Sequence, residues 1–155
     1  MQEFIYPAIL TADEDEGGFV VRFLDLPEAI TQGENVEDAV GEASDCLEEA
    51  IANRMVMGLP IPKPSRIEKG QYAVPLPAQT AAKAALYVAI REAKISKMEL
   101  ARRLNCDEKE VRRLLDSRHP SKHAYPDVAH TLETAAVWDK EGLRRASQDA
   151  RSRNV

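Results

Sequence analysis

A chain of 155 residues, 44% hydrophobic and 30% charged, has room for one domain or two small ones. It has no apolar run near the roughly 20 residues that a membrane helix needs. Its two cysteines, Cys46 and Cys106, lie far apart, belong to no CxxC or Cys/His ligand set and make a poor disulfide framework, so a reducing, cytoplasmic home is expected. Overall 21 Lys/Arg face 26 Asp/Glu, but the charge is divided. Through Pro75 there are five basic and fifteen acidic residues, a net of −10; beyond it sixteen face eleven, a net of +5. Such asymmetry points to two modules with different partners, against the plainer reading of an unevenly charged surface.

The N-terminus carries no basic region followed by an apolar core, so no signal peptide is expected. Phe4–Leu10 is apolar enough for a strand. Pro7 removes a backbone donor from it, which predicts an edge position or a bulge. DEDEGG (Asp13–Gly18) follows, and its two glycines can take positive φ and close a hairpin. FVVRFLD (Phe19–Asp25) is the return strand. LPEAITQG makes a turn and a short third strand centred on Ala29–Thr31 and ended by Gly33.

Asn35 is placed to cap the next helix, with Asp38 at the capping-box position. From Val36 the apolar residues Val36, Ala39, Val40, Ala43, Leu47, Ala50, Ile51 and Met55 follow helical spacing, one stripe facing the sheet. Glu37, Glu42, Asp45, Glu48 and Glu49 fall on the other face. Gly58 and Pro60 stop the helix, PIPKPS (Pro60–Ser65) runs extended, and QYAVPL (Gln71–Leu76) is a fourth strand. The unit is β-β-β-α-β. Its acids at turns and on the helix face form no evident catalytic pair. Paired carboxylates can hold magnesium, and Asp25 with Asp13 or Asp15, or Asp25 with Glu49, are the candidates, none singled out by spacing.

Pro77–Ala93 is a helix with Ala82, Ala85, Leu86, Ala89, Ile90 and Ala93 on one side. Ser96 caps KMELARRL (Lys97–Leu104), with Glu99 as capping-box partner, and NCD turns the chain into EKEVRRLLD (Glu108–Asp116). Two short helices joined in this way fit a helix-turn-helix. Ala101 is the small residue at the crossing, and Leu100, Leu104, Val111 and Leu114 flank it. Asn105 stands where the left-handed turn residue belongs. A plain helical bundle shows similar stripes. The distinguishing feature is the outer face, where Lys109, Arg112 and Arg113 project, helped by Lys97 and by Arg118 and Lys122 of the basic loop SRHPSKH. Arginine forks suit guanine edges and phosphates, and lysines suit phosphates. His119, His123 and His130 lack partners at ligand spacing, so no metal or other cofactor is expected. Asp127–Trp138 reads as a further helix, and Arg144–Arg153 as a basic tail or helical extension.

FLDLPEAITQGENVEDAV (Phe23–Val40), GLPIPKPS (Gly58–Ser65), VPLP (Val74–Pro77) and KMELARRLNCDEKEVRRLLDSRHPSK (Lys97–Lys122) resemble, in this order, the HicB family of antitoxins in its longer form. The resemblance implies a degenerate ribonuclease-H-like N-terminal domain without catalytic chemistry. It implies that this domain binds a HicA-type toxin, a small basic RNA-cleaving protein with a double-stranded-RNA-binding-like fold and a catalytic histidine. It also implies a C-terminal domain that dimerises and represses the operon. The family usually has glycine where this chain has Asn105.

The expected organisation is therefore an α+β toxin-binding domain at 1–76, an all-α helix-turn-helix domain at 77–138 and a basic tail at 139–155. The expected partners are the toxin, operator DNA and a second copy in a dimer or tetramer, with no membrane. Asp13, Glu14, Asp15 and Glu16, with Asp45, Glu48 and Glu49, are the candidate toxin contacts. A basic nuclease attracts an acidic mask. The competing functions are a magnesium-dependent nuclease and a one-component repressor that senses a small ligand in an apolar pocket.

Overall fold

A computed structural model describes residues 3–118. The described chain is α+β: β1 (Ile5–Ala12), β2 (Phe19–Phe23), β3 (Ile30–Gly33), α1 (Val36–Met57), β4 (Tyr72–Pro75), α2 (Ala78–Ala93), α3 (Lys97–Leu104) and α4 (Glu108–Leu115). It divides into two compact units, with the boundary between Ala84 and Ala85.

In the first unit the strands form one antiparallel sheet in the order β3-β2-β1-β4. Phe4, Tyr6 and Ala8 share a face with Val21 and Phe23 of β2 and with Val74 and Leu76 at β4, and all are buried. The α1 helix lies across the sheet, most closely over β3, and buries Ala39, Ala43, Leu47, Ala50, Ile51 and Met55. Val36, expected in that stripe, is exposed in the first turn. Leu26, from the turn before β3, completes the core.

The expectation that Pro7 marks an edge strand or a bulge is corrected: β1 is central, paired with both β2 and β4. Alternation explains how proline is tolerated there. The Leu76 N–H donates to the Phe4 carbonyl, so even-numbered residues of β1 direct their backbone groups toward β4 and odd-numbered ones toward β2. The missing Pro7 donor would have met Leu24, and the β1–β2 ladder stops one residue short, at Ala8–Phe23.

The hairpin closes as its glycines predict. Gly17 and Gly18 have φ of 79° and 78°, and Asp13 N–H donates to the Gly18 carbonyl at 2.9 Å. At the start of α1 the Asn35 side chain accepts from Asp38 N–H at 2.9 Å. Asp38 returns the bond one residue further out than a standard capping box, accepting from Glu34 N–H. Gly33 sits so close to this turn that a Cβ on it would lie 2.4 Å from the Ala39 nitrogen.

Three helices end alike. Gly58, Lys94 and Asn105 take left-handed φ of 68°, 53° and 54°. The next N–H in each case reaches back five residues, from Leu59 to Arg54, Ile95 to Ile90 and Cys106 to Ala101. Asn105 thus does at the α3–α4 turn what glycine does after α1. In the second unit Leu86, Leu100, Ala101 and Val111 are buried, while Leu104 and Leu114 are half-buried. The helix from Lys97 is capped by Ser96, and α4 by Asp107, which accepts from Glu110 N–H.

Candidate functional surfaces

DLPEAITQG and GLPIPKPS, distant in sequence, interlock. Asp25 accepts at one oxygen from the Ser65 N–H at 2.8 Å and at the other from the Ser65 hydroxyl at 2.5 Å. Arg54, near the end of α1, donates to both oxygens of Glu28 and to the Pro60 carbonyl. The buried Tyr6 hydroxyl donates to the Pro62 carbonyl at 2.8 Å. The extended segment lacks a ladder of its own and proline removes its donors, so side chains hold it instead. The arginine fork holds the Glu28 carboxyl below its usual range, and Glu28 in turn raises the Arg54 pKa. Burial, with the charge of Asp25 adding to it, pushes Tyr6 up to about 12. Asp25, the residue on which a magnesium site would depend, is committed to Ser65. No cluster of three or more His, Cys, Asp or Glu side chains suited to a metal occurs among the described residues.

The candidate toxin contacts separate into groups. Asp13 Oδ1 accepts from the N–H groups of Asp15 and Glu16, so that carboxylate shapes the hairpin turn. Glu14, Asp15 and Glu16 are exposed. Glu48, expected to point outward, is half-buried and accepts from the buried Thr80 hydroxyl of α2; the position is a correction to the solvent face read from spacing. Asp45 and Glu49 are exposed and line a groove between α1 and β3. Glu42 joins them there, and it also lines a second cleft with Asp13, Glu16, Glu34 and Asp38. Glu42 was recognisable from sequence: it lies three residues before Asp45 and seven before Glu49, on the same helix face.

On the second unit Lys97, Lys109, Arg112, Arg113 and Arg118 are all exposed. Val111 is fully buried, so the residues beside it on α4 turn outward. The arginines are not bare. Arg112 pairs with Glu108 at 2.6 Å and Arg113 approaches Glu110 at 3.8 Å, i to i+4 and i to i+3 contacts that the spacing alone could have revealed. The Arg118 N–H donates to Asp116. On α3, Arg102 and Arg103 converge on Glu99, Arg102 providing the larger effect, and hold that carboxyl down to about 2. Lys122, the three histidines, Trp138 and the basic tail lie outside the described residues.

Residues 5–85 match the family model of the HicB-like antitoxin of bacterial toxin-antitoxin systems. Antitoxin HicB of Escherichia coli is 37% identical over 117 residues, covering 76% of this chain and 84% of that protein. Antitoxin HicB 1 of Photorhabdus laumondii is 38% identical over 117 residues, covering 76% and 74%. Antitoxin HicB of Pseudomonas fluorescens is 36% identical over 114 residues, covering 73% and 78%. The sheet with its pinned proline segment lies within the family match, and these similarities run over most of the chain. The chain belongs to the HicB-like family of antitoxins.

Proposed function

We propose that this antitoxin masks a small, basic, RNA-cleaving toxin of HicA type with its acidic N-terminal part and represses its own operon through α3 and α4. The toxin-binding domain is assigned to 1–76, the DNA-binding and dimerisation domain to 77–138 and a basic tail to 139–155. The observation that carries this reading is the segregation of exposed charge. Carboxylates at Glu14, Asp15, Glu16, Asp45 and Glu49 face solvent in the first unit, whereas Lys109, Arg112 and Arg113 face solvent on α4 of the second. A sheet followed by one covering helix is consistent with a degenerate ribonuclease-H-like domain. The left-handed turn at Asn105 supports a helix-turn-helix in which α4 enters the major groove. The commitment of Asp25 to Ser65 favours a non-enzymatic role. Paired half-sites call for a homodimer or tetramer. No described helix is long and apolar enough to cross a membrane, and the proposed site of action is the cytoplasm.

The test is the double variant Arg112→Ala/Arg113→Ala in the full chain. Operator binding, which should weaken with salt at a log–log slope of about −0.9 per phosphate neutralised, is lost. Neutralisation of the toxin persists. A variant that lost neutralisation and kept operator binding would reverse the assignment of the two parts.

A further inference from the structure

We propose that the groove between α1 and β3 receives an extended basic segment of the toxin, which adds as a strand to the open edge of β3 and sets its Lys/Arg side chains against Glu42, Asp45 and Glu49. The inference rests on the toxin-masking reading above and narrows it to one place and one mode of contact.

Three observations meet there. First, β3 ends the sheet, paired with β2 alone among the described residues. The Asp13 N–H bond to the Gly18 carbonyl fixes which residues of the hairpin face each other with backbone groups. Carried through the register, Thr31 and Gly33 bond toward β2, while Ile30 and Gln32 turn their N–H and C=O groups to the open edge. An edge of this kind accepts another strand. Second, a groove runs beside that edge. Its floor is mainly apolar, formed by Ala29, Cys46 and Ala50 beside Thr31, and Met57 and Leu59 stand at its end, 70% and 41% exposed. Third, its rim is acidic. Glu42, Asp45 and Glu49 occupy one face of α1, and none forms an ion pair with a described residue. Arg54, the cation of the groove, is already bound to Glu28.

Charge selects the occupant. Nucleic acid is repelled. A second copy pairing β3 to β3 would bring two acidic rims together, with no basic residue in Ile30–Gly33 to offset them. A cationic protein segment satisfies the edge, the floor and the rim at once.

The experiment measures the affinity of the full chain for the toxin encoded beside it by calorimetry, with oligomeric state followed by light scattering. Three variants are compared. Glu42→Gln/Asp45→Asn/Glu49→Gln removes the rim charge. Gln32→Pro removes an outward donor without touching the β2 ladder. Glu3→Gln/Glu68→Gln removes two exposed acids outside the groove and the hairpin as a control. The rim and edge variants are expected to bind at least about tenfold more weakly, the rim variant with a flatter salt dependence, and the control within about twofold of wild type. Circular dichroism and melting confirm that each variant is folded. Rim and edge variants that bind like wild type would overturn the groove and leave toxin masking intact. A shift in oligomeric state with unchanged toxin affinity would also overturn it, by assigning the edge to a second copy. Wild-type protein that does not bind the toxin at all would remove the masking reading itself.

Discussion

Alanine at Gly33 and alanine at Gly41 should act in opposite directions. A Cβ at Gly33 meets the Ala39 nitrogen at 2.4 Å, its Cα at 2.5 Å and its Cβ at 2.9 Å, whereas ordinary contact begins at 3.4 Å. Two of these atoms are backbone in the first turn of α1, so no side chain can swing aside. The helix must retreat from β3 by about 1 Å, and a gap of that size forfeits a quarter to a half of the dispersion energy at each affected contact. The adjoining buried residues Ala39 and Ala43 lose packing with it. The cost is about 2–3 kcal/mol, the upper part of the range for overpacked sites. At Gly41 a Cβ meets nothing within 4 Å, and the residue is an exposed position inside α1. Alanine there stabilises by about 0.5–1 kcal/mol. For a cooperative unit of this size 1 kcal/mol moves the Tm by about 4–8 °C. Differential scanning calorimetry should therefore show Gly33→Ala melting at least about 8 °C below wild type and Gly41→Ala at least about 2 °C above. Equal melting of Gly33→Ala and wild type would refute the close approach of β3 to α1.

Four further outcomes follow from the hydrogen bonds and caps. Tyr6→Phe removes the bond to the Pro62 carbonyl and should cost about 1 kcal/mol in urea unfolding, with faster amide exchange in the proline segment; unchanged exchange would show that the segment is held by other groups. Because the folded Tyr6 pKa is raised, the stability linked to its neutral hydroxyl is present below the usual phenol range and fades as pH rises toward about 12, which ultraviolet titration can follow. Glu99 is shifted the other way. Its contribution is present above the ordinary value of 4.5 and is lost as pH falls through about 2, so its side-chain carbon should titrate with a midpoint near 2 by NMR, and an ordinary midpoint would deny the convergence of Arg102 and Arg103. Asn105→Ala should destabilise the second unit by about 1 kcal/mol, while Asn105→Gly leaves it as stable or more so; equal loss in both would mean that the asparagine side chain, not the left-handed backbone, matters.

The candidate surfaces were only partly legible in the residue order. The outward direction of Arg112 and Arg113 was, because the buried Val111 fixes the rotation of α4. Their pairing with Glu108 and Glu110 is equally local, set by the i to i+4 and i to i+3 spacing along α4. The clustering of Glu42 with Asp45 and Glu49 was readable, but that they border an open strand edge was not. Asp13 and Glu48 looked like solvent-facing acids. Asp13 is occupied by neighbouring turn amides, and Glu48 by a hydroxyl thirty-two residues away.

Features whose energetics lie within one turn of chain are legible in the residue order. The hairpin at Gly17–Gly18, the caps at Asn35 and Ser96, the left-handed closure at Asn105 and the buried stripe of α1 each follow from side-chain size, backbone freedom or hydrogen bonding over three to five residues. Long-range packing sets the rest: β1 is central despite Pro7, Asp25 and Arg54 pin the proline segment, and Gly33 must carry no Cβ. These depend on which distant residues become neighbours, and that is chosen by the packing of the whole sheet against α1 rather than by any local preference.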